Sequence, residues 1–241
     1  MSMSFDEELR LLSMVDILEP LSQQQLETLA QRYPDISLEE GQHLYTPQER
    51  SERLYFLKEG RVRIYRLAEG REMTLAMVED GTVFGEMALT DQRLRESYAK
   101  AEERSTVLTM DRQGLEDLIL ENPKVGLQIS RLLTERLRAY EERLEALTLK
   151  QVPARLAGLL LLLAESEGVM HDGKQIRIPT RYTHEMLSTM IGTTREGVSR
   201  AFGRLQDEGA VELQRRQIYL KEPETLKRLA EQAAPQKEEE A

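Results

Sequence analysis

Cysteine is absent from the 241 residues. Without thiols the chain has no disulfide, thiolate zinc site, cysteine-ligated iron–sulfur cluster or cysteine nucleophile. Long apolar runs are missing as well. The longest, Leu156 to Ala164, has nine residues, well short of the roughly 20 that a membrane-spanning helix needs. The N-terminal stretch MSMSFDEELR is acidic and lacks the basic-then-apolar form of a signal peptide, so a soluble, cytoplasmic protein without a membrane partner is expected. Histidine is scarce and scattered: His43, His171 and His184 do not make a metal site, and a lone His43 gives haem no convincing ligand. Hydrophobic residues make up 40% and charged residues 32%, which suffices for a core and excludes a disordered chain. The length suits one large domain or two modest ones.

The net charge of −10 argues at first against nucleic acid, but it is unevenly spread. Residues 1–152 carry 20 Lys+Arg against 29 Asp+Glu, residues 153–220 carry 9 against 8, and residues 221–241 carry 4 against 6. The segment 153–220 alone escapes an acidic balance, so the placement of its few cations decides what it can bind.

Residues 5–31 read as helical, with Leu9, Leu12, Val15, Leu18, Leu26, Leu29 and Ala30 at helical spacing around a break at Pro20. From Asp35 short apolar runs alternate with glycines: Leu54–Leu57, Gly60, Val62–Tyr65, Gly70, Met73–Val78, Gly81, Val83-Phe84 and Gly85. This is the texture of an antiparallel barrel, roll or sandwich. A last strand, Ser105 to Met110, precedes a helix starting near Arg112. After Pro123 a long helix carries Leu133, Leu137, Tyr140, Leu144 and Leu147 at alternating spacings of four and three, flanked by Arg136, Arg138, Glu141, Glu142 and Arg143. Such a seam suits an amphipathic helix packed on its own domain. On so charged a helix its narrowness favours a coiled coil with a second copy. Pro153 marks a hinge, followed by a Leu-rich helix Ala154 to Glu165, a turn at His171–Lys174 and a strand Gln175–Ile178. The tail from Ala233 has no apolar pattern and is expected to be disordered.

Residues 183–209 are the most informative. A helix from Thr183 bears apolar Met186, Leu187, Met190 and Ile191 and ends at Gly192. Thr194 can cap a second helix with Val198, Ala201, Phe202 and Leu205 on one face and Arg195, Glu196, Ser199, Arg200 and Arg204 on the other. Two helices about a glycine turn, the second polar near its N-terminus, form a helix-turn-helix. Gly209–Leu213 and Ile218–Leu220 read as a two-stranded wing with Arg215 and Arg216 at its tip, placed for phosphate contact. An Arg can donate twice to guanine and a Glu can accept from cytosine. Glu196 and Arg200, four apart, share a face and can brace one another.

In this order of parts the chain resembles the CRP/FNR family of bacterial transcription regulators over nearly its whole length. The resemblance implies an α+β fold: an N-terminal antiparallel β-roll of the cyclic-nucleotide-binding jelly-roll type, a long dimerisation helix, and a C-terminal winged helix-turn-helix. The corresponding segments are residues 1–121, 122–152 and 153–232, with an acidic tail 233–241. Gly192-Thr-Thr-Arg-Glu-Gly-Val-Ser-Arg200 resembles the recognition motif of the cyclic-AMP receptor branch. The resemblance gives Arg195, Glu196 and Arg200 the reading of a TGTGA-type half-site in a two-fold symmetric operator. It implies a homodimeric regulator on double-stranded DNA, an activator in contact with RNA polymerase.

Val83-Phe-Gly-Glu-Met-Ala-Leu89 resembles the family's phosphate-binding cassette, with Gly85 and Glu86 at the phosphate and ribose positions and Met87 and Ala88 following. The cassette should continue to an Arg and a small hydroxyl residue. Counted without gaps, Glu96 and Ser97 stand there, with Arg95 one position early. Tyr140 and Glu141 fall where cyclic-AMP binders carry small hydroxyl residues. Both departures argue against classical cyclic-AMP control and leave Gly85, Glu86, Met87, Ala88, Arg95, Ser97 and Tyr140 as candidates for a changed effector pocket, with no cofactor required. A cyclic-nucleotide module acting on a protein partner is the alternative, but it gives the Arg195-Glu196-Arg200 face no role. No nucleophile–base set or P-loop suggests an enzyme.

Overall fold

The computed structural model describes residues 10–68, 70–90, 94–214 and 217–232. The chain divides into two compact units, Met1–Arg136 and Leu137–Ala241.

In the first unit residues 10–13 are helical and a single 3-10 turn follows at Asp16–Leu18. Helix α1 (Gln23–Arg32) then starts at Ser22, whose hydroxyl and Gln25 form a reciprocal capping box. The expected helical stretch 5–31 is broken at Pro20 as its sequence suggests and again at Met14-Val15, and its residues 5–9 lie outside the described residues. Eight strands follow: β1 (Asp35–Leu38), β2 (His43–Tyr45), β3 (Arg53–Glu59), β4 (Val62–Ala68), β5 (Arg71–Val78), β6 (Val83–Phe84), β7 (Tyr98–Ala101) and β8 (Ser105–Asp111). They form two antiparallel sheets, ordered β1-β8-β3-β6 and β2-β7-β4-β5. Between them lie Leu38, Tyr45, Tyr55, Leu57, Val62, Val78, Phe84, Ala99, Ala101 and Val107.

The run Leu54-Tyr-Phe-Leu57 on β3 is buried throughout because its sheet is covered on both faces. Tyr55 and Leu57 point into the roll. Leu54 and Phe56 point to a second core shared with α1, α2 (Arg112–Glu121) and the first turns of α3 (Pro123–Leu149), including Leu12, Leu26, Leu115, Val125 and Ile129. Burying each such side chain contributes about 1.5–3 kcal/mol.

The second unit begins inside α3. Residues Lys150 and Gln151 interrupt the helical path, and α4 (Val152–Glu167) starts with Pro153 in its first turn, where a missing N–H costs nothing. Strands β9 (Val169–His171) and β10 (Gln175–Ile178) follow, then helices α5 (His184–Ile191) and α6 (Arg195–Asp207), strands β11 (Val211–Gln214) and β12 (Gln217–Leu220), and α7 (Pro223–Ala230). The expected two-stranded wing is part of a larger sheet, ordered β11-β12-β10-β9. One core joins Leu156 and Leu160 of α4, Leu187 and Ile191 of α5, Val198, Phe202 and Leu205 of α6, the strands, and Leu226 and Leu229 of α7. Among the described residues no helix is long and apolar enough to cross a membrane.

Candidate nucleic-acid interface

Local chemistry sets the two helices. Thr183 caps α5 by accepting from Met186 N at 3.1 Å, and Thr194 caps α6 by accepting from Gly197 N at 3.1 Å. Between them Gly192 adopts φ +66°, the left-handed region that closes a helix C-terminus. A Cβ there would come within 2.9 Å of Leu147 Cδ2.

Burial of Val198, Ala201, Phe202 and Leu205 rotates the opposite face of α6 outward. Thr194, Arg195, Glu196, Ser199, Arg200 and Arg204 are all exposed there, as the spacing predicts. The bracing of Glu196 by Arg200 is not formed: among the described residues no ion pair engages Arg195, Glu196, Arg200 or Arg204. The end of α3 and the start of α4 hold the turn from behind. Arg143 donates to the Thr189 carbonyl at 3.4 Å, and Arg155 donates to the Gly192 carbonyl at 3.5 Å. Burial lowers the pKa of both guanidiniums. Arg215 and Arg216 lie outside the described residues; β11 and β12 pair up to Gln214↔Gln217 on either side of them.

The expected dimer residues sit on α3 with their side chains facing outward: Leu133, Leu137, Tyr140, Leu144 and Leu147 are 41%, 58%, 48%, 66% and 42% exposed. Leu147 also faces the Gly192 turn.

The cassette is built in the first unit. Gly85 has φ +82°, and a Cβ there would meet Tyr55 Cδ2 at 2.8 Å. Glu86 opens a short 3-10 turn, Met87 is exposed and Ala88 is buried. Arg95 pairs through its backbone with Glu49 and Gln48, ahead of β7. Arg95 is the residue that turns inward. It is 4% exposed, donates to the carbonyls of Gly85 (3.1 Å) and Arg53, and lies 4.5 Å over the Tyr45 ring. Glu96 turns outward to Arg66. Ser97 hydrogen-bonds Tyr45, whose phenol burial pushes up to about 12. Tyr45, Tyr55 and Phe84 form a continuous stack, with centroids 5.7 and 5.3 Å apart. Glu86 pairs at 2.7 Å with Arg136, which also donates to the Val83 carbonyl. In this arrangement the aromatic stack packs the roll, Arg95 donates to two main-chain carbonyls while its buried Nε has no hydrogen-bond partner among the described residues, and Glu86 is paired with Arg136.

Sequence reasoning missed Tyr45, Tyr55 and Arg136 here, because each is brought in by pairing or packing over more than ten residues. His43 bonds Tyr65 Oη at 3.0 Å and packs on Tyr98, and His171 packs edge-on against Tyr219. No group of three metal-ligating side chains occurs among the described residues.

Comparison with known proteins gives two matching family models: cyclic nucleotide-binding domain over residues 35–122, and Crp-like helix-turn-helix domain over residues 154–229. A CRP-like cAMP-activated global transcriptional regulator of Mycobacterium tuberculosis is 30% identical over 159 residues, 66% of this chain and 70% of that protein. The cyclic AMP receptor protein of Thermus thermophilus is 34% identical over 160 residues, again 66% and 70%. A solved CooA variant from Carboxydothermus hydrogenoformans gives a TM-score of 0.75 at 25% identity, covering 90% of this chain and 95% of that one. A CRP/FNR family transcriptional regulator from Thermus thermophilus gives 0.66 at 28% identity, covering 83% and 100%. These relatives are regulators rather than enzymes. With a β-roll, a long helix and a capped helix-turn-helix in that order, the chain belongs to the CRP/FNR family of DNA-binding transcription regulators.

Proposed function

We propose that the protein is a cytoplasmic homodimer that reads a two-fold symmetric TGTGA…TCACA-type operator, activates transcription through RNA polymerase, and is competent to do so without cyclic AMP. The observation that carries this reading is the exposed Arg195-Glu196-Ser199-Arg200 face of α6, whose Arg195, Glu196 and Arg200 are in no ion pair among the described residues. Its N-terminal position suits it to base edges in the major groove, with Arg200 or Arg195 bidentate to guanine and Glu196 accepting from cytosine. Arg204, Thr194, Arg215 and Arg216 serve the phosphates, which set register.

The outward-facing seam Leu133-Leu137-Tyr140-Leu144-Leu147 supports a second copy as the partner of α3, with Val152-Pro153 as the hinge that sets each reading head. Nucleotide independence rests on the cassette. A cyclic nucleotide would have to draw Arg95 from two carbonyls toward its phosphate and Glu86 from Arg136 toward its ribose hydroxyl.

The test is binding of the purified protein to a TGTGA…TCACA duplex and to a scrambled one, with and without cyclic AMP, at one salt concentration. Tight, sequence-specific binding without nucleotide is expected. Binding only with nucleotide would mean that Arg95 leaves the Gly85 and Arg53 carbonyls for the ligand. Equal binding to both duplexes would reject the operator.

A further inference from the structure

Beside the shared apolar core, one polar side chain of the first helix of the reading head reaches the exposed face of the second. His184 is the first residue of α5, and its Nδ1 lies 2.8 Å from Ser199 Oγ on the exposed face of α6. Its ring stacks on Phe202, with centroids 5.1 Å apart and planes 11° from parallel. Ser199 has one hydroxyl proton, and its Oγ also lies 3.1 Å from the Arg195 carbonyl, which can only accept. In the neutral ring either Nδ1–H donates to Ser199 Oγ or the hydroxyl donates to Nδ1; in the protonated ring Nδ1–H donates to Ser199 Oγ and the hydroxyl donates to Arg195 O, so the clasp persists in both charge states.

We propose that His184 is a positioning residue for operator reading: it clasps Ser199 and Phe202 to hold the Arg195–Arg200 face in register, and the proton it takes up beside DNA phosphate makes operator binding pH-dependent. The proposal rests on the reading head's role described above.

Ser199 stands between the three base-reading candidates, one turn after Arg195 and next to Arg200, so the clasp acts on the face that must be aligned. A positioned side chain lowers the ordering cost of binding. In the free protein, burial and then Arg195 lower the His184 pKa, so the ring is neutral near pH 7.5. Arg195 is the charged group that faces it from α6; on its own helix Glu185 is adjacent and exposed, and Arg143 and Arg155 serve the opposite end of α5. In a helix-turn-helix complex the first helix crosses the sugar–phosphate backbone. Phosphate there favours the charged ring and raises its pKa. Binding therefore strengthens as pH falls from the bound pKa toward the free one, by about tenfold for each unit between them.

The experiment measures duplex affinity from pH 5.5 to 8 at fixed salt for the wild type, His184→Asn and Ser199→Ala, together with NMR titration of the His184 ring in the free and DNA-bound wild type. Asn can keep a donor at the place of Nδ1 but does not titrate. The expected wild-type gain on acidification is about three- to tenfold beyond that of His184→Asn. At pH 8, both His184→Asn, which loses the stack on Phe202, and Ser199→Ala should bind more weakly than wild type, and His184→Asn by a factor that does not change with pH. The ring pKa should be higher on DNA than off it. Parallel pH profiles for wild type and His184→Asn, or an unchanged ring pKa on DNA, would overturn the proposal. A wild type that binds the scrambled duplex equally would reject the operator but not this inference, since the ring titration on any bound duplex still decides it.

Discussion

Arg195 follows its helix cap directly and is exposed, so its side chain has no structural task to lose. Replacing it by Ala should cost about 1–3 kcal/mol of operator affinity while leaving stability and assembly unchanged. Fluorescence anisotropy on matched and scrambled duplexes, beside sedimentation, checks this. Tyr45 makes the opposite case, a polar atom turned inward. Its phenol titrates near 12 when folded and near 10 when unfolded. The neutral form is therefore stabilised by folding, in full below pH 10, and that contribution is lost as pH rises from about 10 to 12. It amounts to about 2–3 kcal/mol, at one pKa unit per 1.36 kcal/mol. Urea unfolding of the first unit across that window should lose this amount in the wild type and markedly less in Tyr45→Phe.

The helix-turn-helix was legible from sequence because its signals are local. Thr183, Gly192 and Thr194 each act within three residues of where they stand. Strands β1, β2 and β7 were not legible. Asp-Ile-Ser-Leu, His-Leu-Tyr and Tyr-Ala-Lys-Ala are short and half polar, and they become strands only through partners such as Leu38↔Ser105 and Ile64↔Ala99. Helix α7 was hidden for a similar reason, since Leu226 and Leu229 declare themselves only against α4. The place of Arg95 depends on its backbone pairing with Gln48 and Glu49, which counting along the loop cannot supply.

Two elements carry direct tests. Gly192→Ala puts a Cβ into a left-handed turn and against Leu147, and should destabilise the second unit by about 1–2 kcal/mol in thermal unfolding. Leu144→Glu places a charge in the α3 seam at a side chain 66% exposed in one chain. It should leave the protomer folded by circular dichroism, give a monomer by sedimentation, and weaken operator binding more than tenfold, because one reading head then binds alone.

At the scale of the whole molecule, the net charge of −10 and the capacity to bind a polyanion are compatible because they reside in different segments. Residues 153–220 are almost neutral in sum, and within them Arg195, Arg200 and Arg204 share the exposed face of α6. Composition alone pointed away from nucleic acid; only the arrangement of charge on a helix face pointed toward it. The log–log dependence of operator affinity on salt should be linear, with a slope set by the few phosphates that these arginines neutralise. A titration from 50 to 300 mM salt checks it, and a flat response would exclude phosphate contact.

The exposed arginines of α6 have a practical consequence at the bench. By bulk charge this acidic protein should pass through a cation exchanger at neutral pH. A heparin column presents closely spaced sulfates to one face at a time, and it should retain the protein through Arg195, Arg200 and Arg204, releasing it early once those three are replaced by Gln. The retention time would then report on three side chains in a chain of 241, before any operator has been identified.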